Sequence, residues 1–197
     1  MRIYLDNSAT THTDPEVFEA MKPYFCEVYG NGSSQHFFGR EALAAIDRAR
    51  EQVAAAIGCK PSEVYFTSGG TESDNWAIKG TAHALAKKGR HIITTKIEHP
   101  AVIKTCEALE REGFEVTYLD VDGEGFVTPE AVEAAIRPDT VLISVMTANN
   151  EIGTIEPIRE IGAVAKAHKV LFHTDAVQAV GNVVIDVVRD NIDMLSM

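Results

Sequence analysis

The segment VLFHTD, residues 170–175, places an apolar run directly before a histidine, a threonine and a carboxylate. Its valine, leucine and phenylalanine predict a buried strand. The segment before it, EPIREIGAVAKAHK, has the apolar spacing of a helix, and a helix leading into a buried strand is the repeating unit of a parallel α/β sheet. A carboxylate at the end of such a strand is costly to bury unless a cation or hydrogen-bond donor meets it. Asp175 is therefore a candidate site residue.

The same alternation extends back along the chain. Runs rich in β-branched and aromatic residues predict four more strands, at residues 63–68, 91–95, 114–121 and 140–146. Apolar residues at helical spacing predict helices at residues 40–58, 71–89, 99–113, 128–136 and 156–169. The expected fold class is α/β, with three layers and a mostly parallel sheet covered on both faces. Residues 1–40 are predicted to form a loop-rich N-terminal arm, and residues 41–197 one large domain.

Composition argues against some partners. The 197 residues carry 29 acidic and 18 basic side chains, a net charge of −11, which disfavours nucleic-acid binding through a basic surface. The N-terminal MRIYLDNSATT lacks the apolar stretch of a secretory signal, and no apolar run approaches the ~18–20 residues of a membrane span. The three cysteines, Cys26, Cys59 and Cys106, form no CxxC pair. We expect them to be small, partly buried thiols in a cytoplasmic protein with no membrane partner.

Glycines follow the first predicted strand, in the segment TSGGTESDN. Gly69 and Gly70 would let the backbone approach a ligand closely, and a helix that opens near Thr71 offers free N–H groups to an anion. The pattern predicts a phosphate-binding turn, although no GKS or GKT follows as in a Walker loop. The alternative is that Thr71 caps the helix, with Glu72 in its first turn.

Polar residues also follow two other predicted strands. His99, after residues 91–95, offers a flat ring for stacking or proton transfer, and the alternative is a surface or capping histidine. Asn149, Asn150 and Glu151 follow residues 140–146. They form either part of a ligand site or an asparagine-rich turn, which is a common use of this residue type.

Asp175 and Gln178 follow the strand at residues 170–175, where Asp175 alternatively caps the next helix. His173 and Asp175 have no third ligand at a suitable spacing, so no metal site is expected. Because ligands bind beyond the carboxyl ends of parallel strands, an anion-binding turn, a flat ring, amides and a carboxylate should meet at one edge. This set suits a planar phosphorylated cofactor such as pyridoxal phosphate (PLP), whose ring nitrogen a carboxylate keeps protonated.

Six motifs carry a resemblance to a known family: YLDNSATT, NGSSQHFFG, FTSGGTESDNWAIKG, EHPAV, ANNEIGTIEPI and FHTDAVQAVGNVVIDV. In this order and spacing the chain resembles, over its whole length, the cysteine desulfurases of the NifS/IscS type, which are class V aminotransferase-like enzymes of PLP fold type I. The resemblance implies a transferase that takes sulfur from L-cysteine, leaves L-alanine and supplies a persulfide for iron–sulfur cluster assembly or other sulfur transfer. It also implies a homodimer and a sulfur-acceptor or iron–sulfur scaffold protein as partner.

The resemblance further implies a cofactor-binding set, which comprises Gly70, Thr71, His99, Asn150, Asp175 and Gln178. Gly70 and Thr71 would bind the phosphate of PLP. His99, the implied catalytic residue, would stack on the ring and shuttle protons, and Asp175 would pair with the ring nitrogen. Asn150 would contact the ring's oxygen side and the substrate, and Gln178 would hydrogen-bond the ring hydroxyl.

The family continues after DNIDMLSM with a Ser-x-His-Lys segment, and this sequence ends at Met197. The Schiff-base lysine, the persulfide-forming cysteine, the substrate-binding arginine and the small C-terminal domain are therefore expected outside these residues. None of the lysines or cysteines present matches those motifs. We expect a truncated large domain that does not desulfurate cysteine alone and that works with a C-terminal partner polypeptide.

Two alternatives to a desulfurase remain open. A related class V lyase, such as a selenocysteine lyase, would share all six motifs, because the discriminating cysteine loop is not among these residues. A non-catalytic PLP-fold scaffold or partner-binding fragment would keep the same cradle without the chemistry. A nucleotide-binding Rossmann domain is less favoured, since no GxGxxG follows the first strand.

Overall fold

The structure, a computed structural model, describes residues 2–197 and divides into two compact units. The first extends to Tyr65, and the second is Phe66–Met197. The predicted division into an arm of residues 1–40 and a domain of residues 41–197 stays a prediction.

The first unit is helical. Its elements are α1 Pro15–Met21, α2 Pro23–Cys26, α3 Phe37–Ile57 and a 3-10 turn at Pro61–Glu63. Asp14 caps α1 by accepting the N–H of Glu16 at 2.8 Å. Helix α3 ends at Gly58, whose φ of 77° suits a residue without a Cβ. Two short helices, α1 and α2, lie within the predicted loop-rich arm, and α3 begins at Phe37 rather than residue 40.

Strands and helices alternate in the second unit. Its elements are α4 Gly70–Leu85, β1 His91–Thr95, α5 Pro100–Arg111, β2 Glu115–Leu119, α6 Pro129–Ala135, β3 Thr140–Ser144, α7 Ile158–His168, β4 Leu171–Asp175 and β5 Met194–Ser196. All strand pairings in this sheet are parallel, and the strand order is β2-β1-β3-β4-β5. The predicted α/β class with a parallel sheet is confirmed.

Two apolar cores lie on the two faces of the sheet. Successive strand residues point to opposite faces, so Ile92 packs in the core that α4 and α5 cover, with Val102 as a helix partner. Its neighbour Ile93 packs in the core that α6 and α7 cover, with Val132 and Ile161. Cover on both faces explains why the strands are apolar throughout rather than alternating.

One predicted strand, residues 63–68, is wrong. Glu63 is the last residue of the 3-10 turn, and residues 64–68 pair with no strand among the described residues. The side chains of Tyr65 and Phe66 are exposed. β-branched and aromatic residues favour a strand only where a neighbouring strand can pair with them. The sequence also missed β5, because three residues are too short to show a period of two.

Two smaller expectations bear on the surface of the protein. Cys106 is buried and Cys59 half-buried, as expected, whereas Cys26 is exposed because it lies in α2, a single turn that buries none of its residues. No helix within residues 2–197 has both the length and the apolar character needed to span a bilayer.

Candidate functional site

The N-terminus of α4 forms an open end with no side-chain cap. Gly69 is the N-cap residue, with a φ of 153° that L side chains rarely adopt. The first helical bond runs from the N–H of Ser73 to the carbonyl of Gly69, so the N–H groups of Gly70 and Thr71 point out of the helix end. The alternative reading of Thr71 as the cap is wrong, because Thr71 lies inside the helix. An anion is the group that such an end favours.

The turn after β4 approaches this helix end closely. A Cβ added to Gly70 would lie 2.6 Å from Cγ2 of Val177, which is too close for any real side chain. Only glycine fits at this position without a shift. The uncapped end of α4 therefore lies beside Val177, two residues after Asp175.

Asp175 is the last residue of β4 and is 6% exposed. Its Oδ1 accepts the N–H of Val177 at 3.0 Å, so the carboxylate also caps the turn that follows, as the alternative reading held. Burial raises the pKa of Asp175, while the hydrogen bond and the nearby His99 ring oppose that rise. A cation placed against this carboxylate would remove the cost of burying it.

His99 caps α5, and its ring lies near the Asp175 carboxylate. Its Nδ1 accepts the N–H of Ala101 at 3.1 Å, and the side chain is otherwise exposed. The ligand atoms of Asp74, His99 and Asp175 all lie within 4.8 Å of one another. His99 is thus a capping histidine that also belongs to the cluster at the strand ends.

The amide residues of the predicted set have different surroundings. Asn149 ties its loop to the segment before His99, because its Nδ2 donates to the carbonyl of Ile97 at 2.8 Å. Its Oδ1 accepts the N–H of Glu151 at 2.8 Å, which is the asparagine turn of the alternative reading. Asn150 is half-buried and donates to the Glu151 carboxylate at 3.1 Å. Gln178 is exposed in the turn after β4, and its role stays a prediction.

Two buried acids escaped the sequence reasoning. Asp74 is 1% exposed on α4, and its Oδ1 has no hydrogen-bond partner among the described residues. Glu98 is 6% exposed; its Oε1 accepts the Thr95 hydroxyl and the Met146 N–H, both at 2.9 Å. Burial raises the pKa of Asp74 to about 7 and that of Glu98 to about 8. A signal was present, since Asp74 falls on the same helical stripe as Ile78.

His173 is held by hydroxyls on both sides. Its Nδ1 bonds the Ser144 hydroxyl of β3 at 2.9 Å, and its Nε2 bonds the Ser196 hydroxyl of β5 at 3.0 Å. Burial lowers its pKa to about 4, so the ring is neutral at physiological pH. Oδ1 of Asp74 lies 3.7 Å from Nε2 of this neutral ring.

The cluster of Asp74, His99 and Asp175 has the donor types that a metal ion accepts. From the sequence alone, His173 and Asp175 had no third metal ligand nearby. In the structure the Asp74 carboxylate, on α4, lies close to Asp175. The open helix end beside the cluster offers an anion site that a lone cation would not use, so these donors also fit the ring edge of a phosphorylated organic cofactor. The absence of a metal stays a prediction.

The residues present fit pyridoxal phosphate. The open end of α4 suits a phosphate, and Gly70, where a Cβ would clash with Val177, suits close backbone approach. The Asp74 oxygen that has no hydrogen-bond partner among the described residues belongs to the cluster with His99 and Asp175. A protonated pyridine ring placed beside Asp175 would supply the missing positive charge. No lysine or arginine among residues 2–197 forms an ion pair with Asp74, Glu98 or Asp175 in this structure.

Comparisons with known proteins agree with this fold. The aminotransferase class-V family matches residues 3–197. The chain is 57% identical to cysteine desulfurase IscS of Dictyoglomus turgidum, with 99% of the chain and 50% of that protein aligned. It is 59% identical to cysteine desulfurase IscS of Methanosarcina thermophila, with 99% and 48% aligned. The chain spans about half the length of the curated relatives it matches.

Solved structures show the same likeness. A structure of SspA in complex with cysteine superposes with a TM-score of 0.95 at 45% identity, covering 98% of this chain and 56% of SspA. A NifS-like protein superposes with a TM-score of 0.95 at 43% identity, covering 100% of this chain and 55% of that protein. The chain therefore belongs to the aminotransferase class-V family, and its relatives there are cysteine desulfurases of the IscS and NifS-like type.

Proposed function

We propose that this chain supplies the cofactor-binding part of a PLP-dependent cysteine desulfurase, which takes sulfur from L-cysteine and leaves L-alanine. The observation that carries the proposal is the meeting of His99 and the buried Asp175 at one cluster, beside the uncapped end of α4. IscS relatives at 57% and 59% identity, and a structural relative solved with cysteine, support the same activity.

Each residue of the set has a proposed task. The N–H group of Gly70 and the N–H and hydroxyl of Thr71 bind the phosphate. Asp175 keeps the ring nitrogen protonated, and bound PLP then supplies the electron sink that the reaction needs. His99 stacks on the ring and moves protons through its second nitrogen, since Nδ1 is engaged by Ala101. Asn150 and Gln178 orient the ring from its oxygen side.

Further parts of the activity belong to the proposal as well. The family resemblance assigns the Schiff-base lysine and the persulfide-forming cysteine to segments outside these 197 residues. A homodimer agrees with the large apolar side chains exposed on the second unit, among them Trp76 at 56% and Val184 at 82%. The product sulfur would pass to a sulfur-acceptor or iron–sulfur scaffold protein, in the cytoplasm.

PLP binding tests the proposal. The 197-residue chain is titrated with PLP and followed by ligand absorbance and by quenching of Trp76 fluorescence. Asp175→Asn should weaken binding by about 10- to 100-fold, because a hydrogen bond between charged groups contributes roughly 1.5–3 kcal/mol. Asp120→Asn is the matched control, since Asp120 also follows a strand end but is exposed and pairs with Lys96.

Three outcomes separate the readings. Binding that Asp175→Asn weakens and Asp120→Asn leaves unchanged supports the proposed cradle. A folded chain that binds no PLP would favour the non-catalytic scaffold instead. Equal effects of the two substitutions would mean that the ring does not lie at Asp175. With a C-terminal polypeptide carrying the lysine and cysteine added in trans, alanine and selenide or sulfide release would distinguish a desulfurase from a selenocysteine lyase.

A further inference from the structure

Asp74 has no role in the proposed cofactor set, yet it is the most deeply buried acid of the cluster. It lies on α4, which packs against β3, β4 and β5 on one face of the sheet. His173 and Asp175, two positions apart on β4, point to that same face. Asp74 therefore faces both the neutral histidine and the acid at the strand end.

Among residues 2–197, the surroundings of Asp74 contain acids but no lysine or arginine paired with it. The facing titratable groups are His173 and Asp175 from β4, and Glu98 and His99 from the segment before α5. Strands β3 and β5 contribute the hydroxyls of Ser144 and Ser196. Two ionised carboxylates so close together in a buried site would repel each other strongly.

Hydrogen bonds join the Ser144 hydroxyl, the His173 ring and the Ser196 hydroxyl in a row. A neutral His173 that accepts the Ser144 proton at Nδ1 must donate from Nε2 to the Ser196 oxygen. In that tautomer the Ser196 hydroxyl keeps its own proton to donate, and a hydrogen bond from Ser196 opposes the rise in the pKa of Asp74. Oδ1 of Asp74, which has no hydrogen-bond partner among the described residues, is then the oxygen left to carry a proton.

We propose that Asp74 and Asp175 form a carboxyl pair that shares one negative charge, in which Asp74 is the protonated, positioning member and Asp175 the ionised one. When a cationic ring lies against Asp175, Asp74 loses its proton to solvent, so that the paired carboxylates carry two negative charges facing the ring. The existence of the pair is independent of PLP, whereas its purpose rests on the proposed function.

The pair is tested first without cofactor. Carboxyl-carbon NMR of the folded 197-residue chain, with aspartate signals assigned by triple resonance, should show Asp74 titrating near pH 7, as burial and Asp175 raise its pKa to about 7. Asp175→Asn should move that midpoint down, and Asp120→Asn should leave it in place. An Asp74 midpoint near pH 4, or one that Asp175→Asn does not move, overturns the pair.

The second measurement addresses the ring. Calorimetric titration with PLP at pH 7, in buffers of different ionisation enthalpy, gives the number of protons released on binding. The wild-type chain should release about half a proton more than Asp74→Asn, because a group with a pKa near the working pH is about half protonated. Equal release overturns the coupling to the ring. A chain that does not bind PLP refutes the proposed function, and the cofactor-free titration still decides the pair.

Discussion

The close approach of α4 to the turn after β4 predicts opposite effects of one substitution at two glycines of the same helix. A Cβ on Gly70 would lie 2.6 Å from Cγ2 of Val177, short of the 3.4 Å at which ordinary contacts begin. A Cβ on Gly80 would have only Cδ1 of Trp76 as a neighbour, at 3.6 Å. Gly70→Ala must displace the turn, whereas Gly80→Ala has room.

The magnitudes follow from packing and helix propensity. Overpacking a tight contact costs about 1–3 kcal/mol, and valine yields poorly because its χ1 rotamer is restricted. Replacing glycine by alanine gains up to about 1 kcal/mol in a helix interior and less at its first position. We therefore expect Gly70→Ala to lower the free energy of unfolding by about 1–2 kcal/mol and Gly80→Ala to raise it by up to about 1 kcal/mol.

Urea unfolding followed by circular dichroism measures both changes. The double variant Gly70→Ala with Val177→Ala lacks the clashing methyl group. Its loss in free energy of unfolding should be smaller than the sum of the two single losses by about 1 kcal/mol or more. The same double variant should bind PLP more tightly than Gly70→Ala alone. A Gly70→Ala chain as stable as Gly80→Ala, or a double variant that is simply additive, would refute the close contact on which the cradle is argued.

The remaining predictions concern residues that support the site. Glu98→Gln should flatten the pH dependence of the free energy of unfolding. Folding raises the pKa of Glu98 from 4.5 to about 8. The stability that protonated Glu98 contributes is therefore fully present below pH 4.5 and is lost as pH rises through 8. Urea midpoints from pH 5 to 8 should fall less in Glu98→Gln than in wild type. Asn149→Ala should cost about 2–3 kcal/mol and weaken PLP binding, since it removes bonds to Ile97, Glu151 and Ile152. Asn149→Asp keeps the acceptor for Glu151 and Ile152 but places an oxygen opposite the Ile97 carbonyl, so near neutral pH it should cost at least as much as Asn149→Ala. A clearly smaller loss in Asn149→Asp would contradict this account.

The elements that the sequence predicted well are those whose signal is local. Helix α6 begins after Thr128, which accepts the N–H of Ala131, and strand β1 covers the predicted residues. Apolar runs without alternation indicated correctly that both faces of the sheet are covered. Residues 63–68 failed for the opposite reason, because strand formation depends on a partner that sequence composition does not reveal.

The site was predictable where chemistry marks a strand end and not where it depends on tertiary contact. Asp175 and His99 stood out because each follows a short apolar run. Asp74 and Glu98 did not, since an acid in a helix or a turn is ordinarily solvated, and only the packing of α4 over the sheet buries them. The hydroxyl row through His173 depends on strand register, which the sequence leaves open.

The strand order has a consequence for how the site is made during synthesis. Because β3, β4 and β5 are added one after another on the same side of β1, each new strand finds its neighbour already in place. The glycine turn and His99 precede β3 in the chain, whereas Asp175 arrives only with β4. Parallel pairing through long crossovers is slow. The proposed cofactor site therefore cannot form in a nascent chain before β4 pairs with β3.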